Sequence, residues 1–166
     1  MKKYVLFALV LVLALTACKK DKSTLTKIGQ QVPQFSFTTT EGEDMKISDL
    51  EGKVVLINFF ATWCGPCMKE LPRVEEEIWK QHKGKDFYTI SLGREHTMEE
   101  MKAFESKKGF TLPIAPDPER SIYKNFATQN IPRNVLLDKD GKIIYQCHGF
   151  TEEEFQELKE KIIEAL

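Results

Sequence analysis

Lys53 to Phe60 is a short, almost unbroken apolar run, Val54-Val55-Leu56-Ile57-Asn58-Phe59-Phe60, as expected of a strand covered on both faces. From about Cys64 to Gln81 the pattern becomes helical. Pro72 inside that stretch predicts a kink near Met68, because its ring removes a donor and crowds the preceding turn. Phe87 to Leu92 reads as the next strand, and Thr97 to Lys108 as a helix whose Thr97 and Glu100 are spaced as a capping box. Pro113, Pro116 and Pro118 then break the chain before a short helix of about Glu119 to Phe126. Arg133 to Leu137 and Lys142 to Cys147 flank Asp138-Lys139-Asp140-Gly141, a hairpin signal. Thr151, with Glu154 three residues on, opens a closing helix with an apolar stripe of Phe155, Leu158, Ile162 and Ile163. Ahead of these elements, Gln34 to Thr38 and Met45 to Ile47 flank a Glu41-Gly42 turn and predict a further hairpin. There is no internal repeat. The order argues for an α/β fold around a central mixed sheet, parallel where helices cross over and antiparallel in the closing hairpin.

The N-terminus follows a different pattern. Met1-Lys2-Lys3 is basic, and Tyr4 to Leu15 is almost wholly apolar but too short for a comfortable membrane span, so it reads as a signal-peptide core. Leu15-Thr16-Ala17-Cys18 resembles the lipobox of bacterial lipoproteins, in which cleavage before the cysteine frees it for lipid attachment. The competing reading is an uncleaved anchor with an incidental Cys18. Both place the globular part outside the cytoplasm and tethered to a membrane, in the cell envelope. Cleavage removes 17 of 166 residues and leaves 149, one domain's worth, and loss of Lys2 and Lys3 takes the formal charge from −1 to −3. Charge so near balance gives no reason to expect nucleic acid or an acidic membrane surface as a partner. Lys19 to Lys27 is polar without periodicity and is expected to be a flexible tether. The expected division is therefore signal peptide 1–17, lipid-anchored tether 18–27 and a single domain 28–166.

Directly after the central apolar run stands Trp63-Cys64-Gly65-Pro66-Cys67. Two cysteines three apart at the start of a helix share a face and can close a disulfide. The first thiol sits where unpaired N–H groups and the helix dipole favour negative charge, which lowers its pKa and makes it a nucleophile. The pair is thus suited to thiol–disulfide exchange. Zinc would need about four ligands, whereas the remaining cysteines are Cys18 and Cys147 and His82, His96 and His148 are scattered singly. A c-type haem would need His after the second cysteine, where Met68 stands. Neither a metal nor a cofactor is implied.

The stretch Val54 to Pro72, VVLINFFATWCGPCMKELP, resembles the active-site strand and helix of the thioredoxin superfamily, and most resembles its membrane-anchored, extracytoplasmic TlpA- and ResA-like branch. The resemblance runs from about Ile28 to the C-terminus. It implies a thioredoxin-like fold, with the early hairpin as the branch's N-terminal extension and Thr97 to Phe126 as its central helical insertion. It also implies that Ile131-Pro132 is cis and faces the dithiol, presenting the Ile131 backbone for strand-like pairing with substrate. Arg133 departs from the small residue expected there. It either biases docking towards acidic or polar partners or is a solvated surface side chain. Asn58 stands where cytoplasmic thioredoxins carry a buried Asp, so no proton relay is carried over to it. Glu70 matches an acidic residue near the dithiol in ResA-like proteins, and is either a proton shuttle for Cys67 or a solvated helix residue.

On this reading Cys64 attacks a partner disulfide and Cys67 resolves the mixed disulfide. Trp63, Gly65, Pro66, Ile131 and Pro132 form the docking surface, with a core role as the alternative for Trp63. Gly-Pro between the cysteines resembles the reducing thioredoxins, near about −270 mV, rather than the oxidising DsbA type near roughly −120 mV. The expected activity is reduction of partner-protein disulfides in the cell envelope. A membrane electron donor would recharge the protein, and cytochrome c maturation is the setting the resemblance suggests. Two other classes stay open. A thiol peroxidase would also use a low-pKa cysteine, although Thr62 lies two residues before Cys64 and not the three of peroxiredoxins. A copper metallochaperone would have Cys-x-x-x-Cys with a His ligand, and the spacing here is one short. Cys147, in phase with Ile143 and Tyr145, reads as a buried inert thiol, or else as a third thiol open to mixed-disulfide formation.

Overall fold

The apolar run becomes the middle of the sheet. In the computed structural model, which describes residues 22–166, β3 (Val54–Phe60) is buried at every position. The expected signal peptide and Cys18 lie outside the described residues. Parallel β4 (Phe87–Arg94) lies on one side of β3 and antiparallel β6 (Arg133–Leu137) on the other. Parallel β5 (Ile114–Asp117) and antiparallel β7 (Ile143–His148) complete the order β5-β4-β3-β6-β7. The early hairpin is also present, as β1 (Ser36–Thr38) against β2 (Asp44–Lys46). The Thr40 N–H donates to the Ile114 carbonyl at 2.8 Å and ties this hairpin to the β5 edge.

Successive β3 side chains enter opposite layers, as the strand period requires. Val55, Ile57 and Phe59 pack with Ile90, Leu92, Tyr123 and Phe126. Val54, Leu56 and Phe60 pack with Cys67, Leu71, Ile78, Phe155 and Leu158, which come from the helices on the other face. The fold is the expected thioredoxin-like α/β sandwich.

Several local expectations are corrected. Helix α1 (Gly65–Arg73) runs unbroken past Met68 and ends just after Pro72, short of the helix expected to Gln81. Pro72 has no N–H for the Met68 carbonyl, and the chain widens just beyond it into a π-helical stretch, Val74–Trp79, before α2 (Lys80–His82). The Val74 N–H reaches both Glu70 and Leu71 carbonyls, and the Lys80 N–H pairs five residues back with Glu75. The prolines that seemed to end regular structure instead border β5, an edge strand in which Pro116 is tolerated. The helix expected over 119–126 contracts to a 3-10 turn, Tyr123–Asn125. The buried Asp117 carboxylate accepts N–H bonds from Ile122 (3.1 Å) and Tyr123 (2.8 Å) and holds the chain in a local turn. Helix α3 (Met98–Lys108) keeps its capping box, with the Glu100 N–H on Thr97 Oγ1 and the Thr97 N–H on Glu100 Oε2. Helix α4 (Glu152–Ala165) buries Phe155, Leu158 and Ile162, while Ile163 points outward.

Residues 23–26, expected to belong to a flexible stretch, pack on the domain. Ser23 and Thr26 are buried, the Leu25 N–H donates to Phe126 O at 2.9 Å, and Thr26 exchanges hydrogen bonds with Gln146. Backbone and side-chain pairing therefore begins by Ser23, not at Ile28.

Candidate active site

Cys64 is the N-cap of α1 and Pro66 lies in the first turn, so the chain enters the helix with the thiol at its positive end. The Cys67 N–H points at Cys64 Sγ, 3.3 Å away, and the two sulfurs form a disulfide. Cys67 is fully buried and Cys64 nearly so, at 7 % exposure, with the exposed Gly65 and Pro66 beside them. An N–H aimed at Sγ stabilises a thiolate there once the bond is reduced. Reagents and partners reach the pair through Cys64.

Trp63 is 60 % exposed, which corrects the core alternative for it. The Arg94 guanidinium lies 5.5 Å from the Trp63 ring centre and 5.0 Å from that of Tyr123, so the indole is braced on a buried cation. The Ile131–Pro132 peptide is cis, and Ile131 O lies 3.7 Å from Cys64 Sγ. Tyr123 Oη donates to the neighbouring Asn130 carbonyl at 2.7 Å. The dithiol, Trp63 and the Ile131 backbone thus form one surface from two separated segments.

Glu70 is 2 % exposed, so the solvated alternative is corrected as well. It lies one turn beyond Cys67 on the same helix face. Its carboxylate accepts from Asn134 Nδ2 at 2.7 Å and from Asn58 Nδ2 at 3.1 Å, and Asn58 Nδ2 also donates to Asn134 Oδ1 at 2.8 Å. Burial pushes the carboxyl from its ordinary 4.5 up to about 7 against the lowering effect of those two amides. The result is a carboxyl that exchanges protons near neutrality, and its partner on β3 is the Asn58 that replaces the familiar Asp.

Two residues have roles that the linear pattern did not reveal. His96 is buried, and its Nε2 accepts the Thr62 N–H at 3.0 Å, with Thr62 Oγ1 at 3.2 Å. Its Nδ1 faces Glu100 Oε2 at 3.5 Å, so the cap of α3 is linked to the loop before Cys64. The only hint in the sequence was its position beside the Thr97–Glu100 box. Arg133 contradicts both of its readings. It is 1 % exposed and donates to Ser23, Thr24 and the Gln129 carbonyl.

Against known proteins, residues 27–163 match the Redoxin family. The chain belongs to the redoxin family. It is 35 % identical over 143 residues to the thiol-disulfide oxidoreductase ResA of Bacillus thuringiensis, covering 86 % of this chain and 82 % of that one. Among solved structures, a candidate protein disulfide isomerase from Bacteroides thetaiotaomicron superposes with a TM-score of 0.82 at 39 % identity, over 87 % of this chain and 92 % of that one. The exposed lipoprotein thioredoxin of Streptococcus pneumoniae superposes with a TM-score of 0.66 at 27 % identity, over 77 % and 99 %. The protein is a TlpA/ResA-like thiol–disulfide oxidoreductase of the thioredoxin superfamily.

Cys147 does not join the dithiol. It is half-buried on β7, with Asn134 Nδ2 3.9 Å from its sulfur. Burial, followed by the nearby Glu70 charge, pushes its thiol up to about 12. Alkylation of the oxidised native protein at pH 8 is therefore expected to spare Cys147, with full labelling only after denaturation. Rapid labelling of the folded protein, read by mass spectrometry, would show an open thiol.

Proposed function

We propose that this oxidoreductase acts outside the cytoplasm from a lipid anchor on Cys18. There it reduces disulfides of partner proteins in the cell envelope and is recharged by a membrane-bound dithiol donor. The observation that carries the exchange chemistry is the placement of Cys64 Sγ, 3.3 Å from the Cys67 N–H and 3.7 Å from the Ile131 carbonyl. A substrate strand pairing with Ile131 would bring its own sulfur to this point.

The Cys64 thiolate attacks one sulfur of the partner disulfide. A bond forms between Cys64 and that sulfur, and the other partner sulfur leaves as a thiolate and takes up a proton. The Cys67 thiol gives its proton towards Glu70 and attacks Cys64 Sγ, which expels the second partner thiolate. The partner has gained two electrons, and the protein holds the Cys64–Cys67 disulfide until the donor reduces it. Trp63, Gly65, Pro66, Ile131 and Pro132 serve as the docking surface.

The anchor reading rests on the lipobox-like Leu15 to Cys18, and a similar fold is found in a protein named as an exposed lipoprotein. The reducing direction rests on the Gly65-Pro66 pair. An apocytochrome c, whose haem-attachment cysteines must be reduced, is the substrate class that the resemblance suggests. Two measurements test the proposal. Radiolabelled palmitate should enter the chain and fail to enter Cys18→Ala. Equilibration with thiol buffers should give a potential nearer the thioredoxin value of about −270 mV than the DsbA value of about −120 mV. An unlabelled chain overturns the anchor, and a DsbA-like potential overturns the direction.

A further inference from the structure

The docking loop Thr128–Ile131 is held from behind by the first residues of the described chain. The Thr128 N–H donates to the Ser23 carbonyl at 2.9 Å, Asn130 Nδ2 donates to Ser23 Oγ at 3.3 Å, and Thr24 pairs antiparallel with Ala127. Arg133 closes the arrangement from the sheet side. Its Nη1 donates to Thr24 Oγ1 at 2.9 Å, and its Nη2 donates to Ser23 Oγ and to Gln129 O, both at 3.2 Å. Arg133 is fixed at the start of β6, in register between Phe59 and His148, so its fork is held by the sheet itself.

Asn130 has φ +75°, a left-handed conformation that asparagine tolerates better than most non-glycine residues, and local hydrogen bonds hold it there. Asn130 is gripped at both ends, its side chain on Ser23 and its carbonyl on Tyr123 Oη, and the next residue presents the carbonyl that faces Cys64.

We infer that Ser23 and Thr24, clamped by Arg133, form a positioning arm that holds the Ile131 edge in register with the dithiol. The segment between the expected anchor and the domain is thereby part of the substrate-docking apparatus. These are positioning residues, because they act through Ile131 and do not touch the reacting sulfurs. The inference rests on the oxidoreductase reading for its kinetic consequence, but not for its structural one.

The test uses the full chain carrying Ser23→Ala with Thr24→Val, and separately Arg133→Met, which keeps the buried stem and removes the donors. Kinetics are compared on a peptide containing a disulfide and on a small aromatic disulfide that needs no docking edge. We expect KM for the peptide to rise roughly tenfold, equivalent to about 1.4 kcal/mol, while kcat for both substrates changes less than about twofold. Amide exchange at Thr128 should quicken in both variants. If Arg133→Met does not fold, the Ser23/Thr24 variant decides alone. Equal losses on both substrates with a lowered Tm, or no change in KM and exchange, overturn the arm. An unsubstituted chain inactive on both substrates would instead overturn the oxidoreductase reading, and the exchange of Thr128 would still judge the arm.

Discussion

Cys67→Ala is expected to accumulate covalent adducts with its partners, whereas Cys64→Ala should form none and lose disulfide turnover by several orders of magnitude. The asymmetry follows from geometry. Cys64 is the helix N-cap, reaches the surface and receives the Cys67 N–H at 3.3 Å, all of which survive when the Cys67 side chain is cut back to a methyl. First attack therefore proceeds, and the mixed disulfide waits for a resolving thiol that is no longer there. Cys67 is fully buried, so in Cys64→Ala it cannot meet a protein disulfide. Non-reducing electrophoresis of cell-envelope extracts, with mass spectrometry of the adducts, reads both variants. Adducts carried on Cys67 in the Cys64→Ala protein would reverse the assignment of the two thiols.

Glu70→Gln is expected to make the protein more stable above neutrality and a slower catalyst. The folded-state pKa of Glu70, about 7, lies above its ordinary 4.5, so the folded protein holds a proton that the unfolded chain releases. Its favourable contribution is complete below pH 4.5 and is lost as pH rises through 7. For a side chain this buried the whole span corresponds to about 3 kcal/mol. Gln keeps one acceptor oxygen for one of the two amides and carries no charge, so denaturant titrations should lose most of the fall in stability between pH 4.5 and 7. Two readouts go beyond stability. The Cys147 thiol, now raised partly by the Glu70 charge, should fall from about 12. Resolution of the mixed disulfide should slow, because Cys67 has lost the group on its own helix face that takes its proton. Unchanged Cys67 titration and an unchanged resolution rate would remove Glu70 from the chemistry and leave it a structural residue.

The strands and caps were legible because their signals are local. The β3 run, the Thr97–Glu100 box and the Asp138–Gly141 turn each depend on residues within one turn of chain, and each stands where the pattern placed it. The misreadings have a common origin. Pro116 reads as a breaker until the strand that contains it is seen to be an edge, and Pro72 is followed by a π-helical widening that spacing does not encode.

Trp63-Cys64-Gly65-Pro66-Cys67 alone determines the chemistry of this protein. A low-pKa thiol needs only a helix N-terminus and a second cysteine one turn away, and both are neighbours in the chain. Everything that tunes and aims that thiol comes from elsewhere. Glu70 titrates near 7 because packing of α1 on two adjacent strands buries it, against the lowering pull of Asn58 and Asn134. His96 braces Thr62 from 34 residues away, and Arg133 reaches Ser23 and Thr24 across more than a hundred. Desolvation and hydrogen bonding act over a few ångströms in space whatever the distance along the chain, and only the packed fold brings these groups together.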